Sequence, residues 1–593
     1  MKGFFQVLVG CSLWVVAVYS AGAQGYTLRV LAMDQATVWE ELALDIQEQS
    51  ADSLALLSEL QRITLELQQN AYLEASFDTV AFQDSLAMAF LHLGPQYEWV
   101  ALTDGNVGEA WLDQVGFRER MYRKKPFAYG EVARLQERLL DYAENNGFPF
   151  AKVWLDSIKV EGKGIAAKLF MDKGPLILIS EIKIKGTAKL SKTYLTRYLG
   201  IREGMPFDKA KILRIRDRIR ELPFVQAKKD VLIQFRDQQA ILQLDLERKN
   251  ASRFDFLIGV LPNSQSTGSV LITGSFEGEL QNQFGLGEKI YAQFEQLRPQ
   301  TQELNLAFNY PYVLDLPIGV DLDFSLYKRD TNYLDIGSNV GLQYLLEGAN
   351  YVKAFWNNQS SILLTVDTQL VKNTRQLPDT LDVSRSFFGL ELLQEKLDYR
   401  FNPRKGWAVK IRAGAGTKRI KPNNQITQLD IEDPYADLNL KSFQYKVEGQ
   451  LAGYLPLFKT STIKTAIQGG ILIADEPVYA NEQYRIGGNK LLRGFDEEFI
   501  FATNYAVLTM EYRLLLGQNS YLYLFGDYAR VDNKTAKTAP DTQTVDFPYG
   551  FGTGITFETR AGIFGLSLAF GTRQQAPIDF GSPKVHFGYV SLF

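Results

Sequence analysis

The stretch of sequence that decides the fold is Asn504–Leu515, NYAVLTMEYRLL. Apolar and polar side chains alternate along its length, and the polar or charged members of the second half are Thr509, Glu511 and Arg513. Successive side chains of a β-strand point to opposite faces, so the alternation predicts a strand with one apolar and one polar face. Gly562–Gly571 repeats the pattern. A soluble β-sandwich alternates in the same way, so one strand alone does not separate a sandwich from a transmembrane barrel.

The same kind of segment fills residues 251–593, where short alternating runs are separated by Gly, Pro, Asn and Asp. About sixteen runs can be distinguished, an even number as bacterial barrels require. Because every backbone polar group needs a partner inside lipid, a membrane-spanning sheet must close on itself. The sequence therefore predicts an all-β transmembrane barrel of about 16 antiparallel strands. Its closing seam is expected between a first strand near Arg253–Val260 and a last strand over Lys584–Phe593.

The first half of the chain contains a repeat with a period of 76 residues. Four columns match across three copies: Tyr72, Phe148 and Phe224; Ala75, Ala151 and Ala227; Arg62, Arg138 and Arg214; and Ile63, Leu139 and Ile215. Each copy reads as a helix that ends near an aromatic residue and continues into a strand. The predicted helices span Ser53–Asn70, Tyr129–Asn146 and Lys209–Leu222. Four columns that share one period indicate three supersecondary units.

These units resemble POTRA modules, the polypeptide-transport-associated domains of β-α-α-β-β order. Phe148–Ala151, Lys173–Pro175 and Ile182–Gly186 carry the resemblance. It implies three α+β units, over residues 24–95, 96–175 and 176–250, each with a three-stranded sheet and two helices on one face. Only one helix is evident in the first unit. The open edge of such a sheet either captures an extended client segment by strand addition or belongs to a rigid spacer, and both interpretations stay open.

A long loop ahead of the twelfth predicted strand contains the most specific motif, Ile486–Phe495, IGGNKLLRGF. The thirteenth strand contains Tyr521–Asp527, YLYLFGD. The Gly-Gly, the Arg-Gly-Phe and the Phe-x-Asp, in this order, resemble the BamA–TamA superfamily of outer-membrane assembly factors, also called bacterial surface antigens. The resemblance covers nearly the whole mature chain. It implies a loop that belongs to the barrel interior, with the motif residues Gly487, Gly488, Arg493, Gly494 and Phe495.

The residue types also fit this arrangement physically. Alternation along the thirteenth strand places Phe525 and Asp527 on the interior face. Arg493 carries a planar fork of donors suited to a carboxylate, so Asp527 and Glu511 on the barrel wall are its candidate partners. Gly494 lets the backbone approach the wall. The alternative is a solvated extracellular loop in which Arg493 has no special role.

The amino terminus resembles an export signal. Residues 1–23 contain Lys2, an apolar run and a small-x-small site at Ala21–Ala23, which predicts a cleaved signal peptide with Gln24 as the first mature residue. A membrane anchor and lipid attachment at Cys11 are the alternatives.

The carboxyl terminus also resembles a targeting signal. Tyr589 and Phe593 resemble the terminal signal by which barrel proteins are recognised for assembly. Ser591 departs from the aromatic pattern of that signal.

The composition excludes several classes of function. The chain of 593 residues has 64 basic and 68 acidic side chains, a net charge of −4, and this balance argues against nucleic acid as a partner. One Cys and two His argue against cysteine-rich zinc sites, cysteine nucleophiles and Ser-His-Asp catalysis. We therefore expect no enzymatic activity, no metal and no cofactor.

The family resemblance implies the function. It points to an outer-membrane protein of a Gram-negative-type bacterium, with its POTRA units in the periplasm, that assembles or inserts other proteins or translocates them. Its partners would be unfolded outer-membrane clients, outer-membrane lipid and periplasmic or lipoprotein accessory subunits. The alternatives are an exporter of the two-partner-secretion type and a passive pore or receptor.

Overall fold

The protein is described by a computed structural model. It covers residues 25–249, 251–261, 271–298, 301–329, 331–400, 402–476, 478–488, 491–496, 499–535, 544–559, 562–573, 576–581 and 583–590. The predicted signal peptide, Phe593 and the side chain of Tyr589 lie outside the described residues. The chain divides into two compact units. The first holds the described residues up to Leu178 with Pro206–Lys209, and the second holds Ile179–Met205 and the chain from Ala210 onward.

The first small sheet has four strands in the order β2-β1-β4-β3. Its elements are β1 (Tyr26–Ala32), α1 (Ala36–Glu41), β2 (Gln49–Ser50), α2 (Ser53–Gln69), β3 (Ser76–Gln83) and β4 (Leu86–His92). The sequence predicted three strands and one evident helix here. The extra strand arises because Gln49 and Ser50 extend along β1 just before α2, whose N-cap Asp52 accepts a hydrogen bond from the Ala55 amide at 2.7 Å.

The second and third small sheets have a helix pair each. The second, in the order β5-β7-β6, consists of β5 (Glu98–Thr103), α3 (Glu109–Gln114), α4 (Tyr129–Glu144), β6 (Lys152–Glu161) and β7 (Gly164–Asp172). The third sheet has four strands where three were predicted, in the order β10-β11-β8 with β9 also paired to β11. It consists of β8 (Leu178–Gly186), α5 (Lys192–Leu199), α6 (Lys209–Arg220), β9 (Val225–Ala227), β10 (Leu232–Arg236) and β11 (Gln239–Arg248).

The repeated aliphatic column is the centre of each unit. Ile63, Leu139 and Ile215 are all 0% exposed, on α2, α4 and α6 respectively. A residue that must fill the same space between helix and sheet is restricted to the same size and polarity in each copy, which explains the period. Gly186 shows the same kind of restriction in the backbone, since its φ is +100° and a Cβ there would lie 2.1 Å from the Leu246 carbonyl oxygen.

The second half of the chain forms one large antiparallel sheet in which each strand pairs with its sequence neighbour. Its strands are β12 (Arg253–Leu261), β13 (Leu271–Gln281), β14 (Lys289–Arg298), β15 (Thr301–Tyr310), β16 (Ile318–Arg329), β17 (Tyr333–Leu345), β18 (Tyr351–Leu363), β19 (Val383–Leu397), β20 (Gly406–Ile420), β21 (Lys441–Phe458), β22 (Ser461–Ala474), β25 (Asn504–Leu515), β26 (Tyr521–Asp532), β27 (Val545–Asp546), β28 (Tyr549–Thr559), β29 (Gly562–Thr572) and β30 (Lys584–Val590).

In the part of the chain that the structure describes, these seventeen segments make sixteen strands. The two-residue β27 and the longer β28 both pair with β26, so they occupy one position in the sheet. Along β25, the outward side chains of Ala506, Leu508, Met510, Tyr512 and Leu514 are exposed, whereas Glu511 and Arg513 are buried. The predicted α+β units followed by a barrel of about 16 antiparallel strands are thus confirmed as the fold class.

The long loops after β18, β20 and β22 lie at one end of the large sheet, and the short turns after β17, β21 and β25 lie at the other. The long loops contain α7 (Thr368–Thr374), α8 (Asn424–Thr427), β23 (Tyr484–Ile486) and β24 (Ile500–Ala502). Within the described part of the chain, no helix has both the length and the apolar character needed to cross a membrane.

Candidate functional site

The long loop between β22 and β25 contains a small ladder of its own. Tyr484–Ile486 pairs antiparallel with Ile500–Ala502. Gly487 and Gly488 follow this ladder with φ of +114° and +107°, a backbone region that favours glycine. Glycine at these two positions therefore gives the loop a backbone conformation that other residues rarely adopt.

Arg493 from this loop is held by Asp527 on β26. The Nε and Nη2 atoms donate to the two carboxylate oxygens of Asp527 at 2.8 Å each, and the backbone amide of Arg493 donates to Oδ2 at 3.0 Å. Both residues are buried. The contact is a bidentate ion pair with a third, main-chain bond, so it fixes the orientation of the loop as well as its position.

Glu511 on β25 is the second carboxylate that contacts the guanidinium group of Arg493. Its Oε1 accepts from Arg493 Nη1 at 3.0 Å and from Lys464 Nζ at 3.0 Å, while Oε2 accepts two bonds from Arg513, at 2.9 and 2.7 Å. Asp527 receives one more bond from the Thr509 hydroxyl at 2.8 Å. All four carboxylate oxygens thus have donors, which is the condition under which buried charges are tolerated.

Two aromatic rings lie next to the guanidinium group of Arg493. The Arg493 guanidinium carbon lies 3.6 Å from the centre of the Phe525 ring and 5.9 Å from that of Tyr523. Phe525 is buried. The predicted wall residues Phe525, Asp527 and Glu511 therefore all contact the motif arginine.

Glycines let the loop lie directly on the barrel wall. A Cβ at Gly550 would be 1.9 Å from the Arg493 carbonyl oxygen, and one at Gly494 would be 2.6 Å from the Gly571 amide nitrogen. Gly552 and Gly554 leave room for the Phe525 and Tyr523 rings in the same way. The Gly-x-Gly-x-Gly run on β28 is thus the surface against which the loop and two rings pack, and it is followed by a strand rather than by a helix.

The rest of the loop tip is anchored as well. Phe495 is buried in an apolar cluster of loop and barrel residues: Ile486, Leu492, Ile500, Ala502, Val507, Ala529 and Val531. The carboxylate of Asp496 accepts a bond from Lys584 Nζ at 2.8 Å. Lys584 is the first residue of β30, so the loop contacts the last strand of the sheet.

The beginning of the loop has a second, separate anchor. Glu482 pairs with Lys418 on β20 at 2.6 Å, with both side chains 0% exposed. Glu482 also accepts bonds from the Gln444 side chain at 3.1 Å and the Tyr479 amide at 2.9 Å. Around this pair lies an apolar core supplied by three loops: its members include Leu363, Val366, Val371, Leu381, Ile420, Ile426, Tyr435 and Tyr479. The long-loop end of the barrel therefore has its own folded core.

At the opposite end, the third α/β unit contacts the short turns. The Gly348 amide donates to the Tyr198 carbonyl oxygen at 2.9 Å. Glu221 accepts bonds from the Tyr198 hydroxyl at 3.0 Å and the Arg400 amide at 3.3 Å. Burial raises the pKa of the Glu221 carboxyl above its ordinary value, although the guanidinium group of Arg218 acts in the opposite direction. This unit and the barrel are thus joined through polar contacts.

Comparison with protein families decides the identity of the chain. The model of the Omp85 superfamily domain matches residues 282–589, which is more than half of the chain. The chain belongs to the Omp85 superfamily. The model of the surface antigen variable number repeat, a POTRA family, matches residues 177–247. The predicted superfamily is confirmed, and its membership assigns the large sheet to an outer-membrane barrel that takes part in inserting or translocating polypeptides.

Two solved structures are among those to which the chain is similar. BamA from Haemophilus ducreyi lacking POTRA domains 1–3 shares 14% identity with this Omp85 protein, with 82% of this chain and 98% of that chain covered and a TM-score of 0.39. CdiB from Escherichia coli shares 14% identity, with 90% and 95% covered and a TM-score of 0.45. No curated protein sequence matches the chain.

Several residues of the site were missed by reasoning from the sequence. Lys464 and Thr509 complete the ion cluster, and Gly571 makes the close approach of Gly494 possible. The register of β22 against β25 places Lys464 directly opposite Glu511. A correct prediction of this strand register would have identified Lys464 as a partner of Glu511. The Glu482–Lys418 anchor carries no motif, and only the folded loops bring it together.

Proposed function

We propose that this Omp85 protein promotes the insertion of unfolded client proteins into the outer membrane. The POTRA units would lie in the periplasm and receive the client, and the seam between β12 and β30 would be its point of insertion. The observation that carries the proposal is the anchored loop. Arg493 fixes the loop inside the barrel, and Asp496 joins it to Lys584 on the last strand.

The topology of the large sheet places the proposed seam. The strands β12 and β30 are the two ends of its linear order. A membrane-spanning sheet has to close on itself, so these two strands would meet at the seam. If the seam separates, each of the two strands would offer an unpaired edge to a client strand.

The second small sheet has an edge suited to client capture. Among the described strands its outer strand β6 pairs with β7 alone, and three of its apolar side chains are exposed: Trp154, Ile158 and Val160. An extended client segment that adds to this edge would satisfy its backbone groups there and cover these side chains. This favours client capture over a role as spacer alone.

No covalent chemistry is required for this function. The free energy would come from pairing client strands and burying their apolar faces in lipid. We therefore propose a non-enzymatic protein without a cofactor. Its partners would be unfolded barrel proteins and outer-membrane lipid, with periplasmic or lipoprotein subunits as accessories.

Site-specific photocrosslinking tests client capture by the full-length protein. A photoreactive amino acid at Ile158 on the edge strand is expected to crosslink to an unfolded barrel client. The matched control is Lys168, which is exposed on the central strand of the same sheet. Equal crosslinking from both positions, or none from Ile158, would contradict edge capture and would favour a spacer or a passive pore.

A further inference from the structure

Two cations lie side by side on the outer surface of the barrel. Arg419 on β20 and Lys441 on β21 are cross-strand partners, and both are exposed. Their chain neighbours Lys418 and Ser442 are buried on the interior face. Ser384 on β19 is the partner of Arg419 on its other side. A hydroxyl, a guanidinium and an ammonium group thus form a row across three adjacent strands.

This row lies just beyond the apolar band of the barrel. The outward positions next to it carry Phe443 and Tyr445, both about half exposed, and Trp407 is near the opposite end of β20. Trp407 and Arg419 are 419 − 407 = 12 residues apart. At about 3.3 Å per residue and a strand tilt of about 40°, this separation corresponds to about 30 Å along the barrel axis. The apolar band of such barrels is about 25 Å tall, so the row lies at the level of the lipid headgroups on the long-loop side.

The charge of the row is uncompensated. Like charges directly opposite each other on neighbouring strands destabilise a sheet. Among the described residues, the side chains of Arg419 and Lys441 form no ion pair and no hydrogen bond, and Lys441 bonds to the Asn439 side chain only through its backbone amide. Asp475, which follows β22 beside Phe443, also pairs with neither. By contrast, the interior cation Lys446 on β21 pairs with Glu448 at 2.8 Å.

We propose that the row Ser384–Arg419–Lys441 binds the phosphate group of an anionic lipid in the outer leaflet. The guanidinium of Arg419 would bind two phosphate oxygens, and the Lys441 ammonium and the Ser384 hydroxyl would donate to the same group. Phe443 and Tyr445 would lie along the acyl chains below it. Binding of a phosphate removes the repulsion between the two cations, and it gives the barrel a fixed lipid on the wall formed by β19, β20 and β21.

Native mass spectrometry of the full-length protein tests this site. The protein is released from a neutral detergent, and its retention of phosphatidic acid is compared with that of phosphatidylcholine and of inorganic phosphate. We expect preferential retention of phosphatidic acid. In the double variant Arg419→Gln, Lys441→Gln the affinity for phosphatidic acid should fall about fivefold for each cation removed. The charge-conserving variant Arg419→Lys, Lys441→Arg should retain most of the affinity for phosphatidic acid. The thermal unfolding of this variant shows whether it is folded like the unmodified protein.

Arg530→Gln is the matched control, because Arg530 is an exposed outward cation whose cross-strand partner is Ala506. We expect this variant to retain phosphatidic acid as the unmodified protein does. The proposal would be overturned by equal retention of phosphatidylcholine, by inorganic phosphate that displaces the lipid, or by equal losses in the Arg530 and double variants. None of these outcomes depends on client insertion, so the lipid site and the proposed function are tested separately.

Discussion

Arg493 and Asp527 are 34 residues apart in the chain and meet through three hydrogen bonds of 2.8–3.0 Å. The contact joins the tip of the longest loop to the wall of the barrel. Because both groups are buried, each depends on the other for compensation of its charge. The position of the loop and the stability of the barrel interior are therefore linked.

Removal of the arginine side chain tests this link. Arg493→Ala leaves Asp527 and part of Glu511 without their cationic partner, and breaking a buried pair in this way costs about 3–5 kcal/mol. We expect a lower temperature for the heat-induced unfolding of the barrel in detergent and faster proteolysis within the loop. The control is Arg530→Ala on the outer face. If the Arg493→Ala variant unfolds at the same temperature as the unmodified protein and its loop resists proteolysis equally well, the ion pair does not hold the loop.

The glycine surface on β28 gives an independent test of loop position. Gly550→Ala would place a methyl group on the Arg493 carbonyl oxygen, so the loop has to move, at a cost of about 1–3 kcal/mol. Gly526→Ala on β26 is the matched control, because a Cβ there meets no atom within 4 Å. We expect proteolysis of the loop to accelerate only in the Gly550 variant. Similar behaviour of the two variants would show that the loop does not lie on this surface.

The second anchor can be tested by a double-mutant cycle. Glu482→Leu leaves Lys418 as a buried charge without its partner and should cost about 3–5 kcal/mol, whereas Lys418→Met, Glu482→Leu together should cost less than the single change. The measurement is urea unfolding of the barrel in lipid vesicles. Additive effects of the two substitutions would mean that the pair is not coupled.

The contact between the third α/β unit and the barrel should depend on pH. Burial raises the pKa of Glu221, so the docked state favours the protonated carboxyl, and the contact should strengthen as pH falls from neutral toward the ordinary value near 4.3. Amide protection factors in α6, measured by hydrogen exchange at pH 7 and pH 5, should therefore be higher at pH 5. Glu221→Gln should remove the difference. Protection that rises with pH would contradict the assigned sign.

The features that could be predicted from the sequence are those marked by a regular repeat or by a local motif. Alternation over Asn504–Leu515 was sufficient to place that strand at its observed bounds, because a two-residue period needs no tertiary information. The repeat of 76 residues located the three helices, because Ile63, Leu139 and Ile215 fill equivalent buried positions in the three units.

Other features depend on distant contacts. The strand β2 in the first unit is two residues long and exists only because β1 lies beside it. Lys464 could not be assigned to the site without the register between β22 and β25. Glu482 and Lys418 are 64 residues apart and have no motif, so only the packing of three loops brings them together. The predicted domain boundaries and the signal peptide stay predictions.

The most direct test of the proposed function is client insertion into liposomes that contain the full-length protein. An unfolded barrel client is diluted from urea into these liposomes, and its folding is followed by the appearance of the heat-modifiable form. We expect faster folding than in empty liposomes and in liposomes with an unrelated barrel, and a smaller acceleration with Arg493→Ala. A client that folds at the same rate in all of these liposomes would contradict the account.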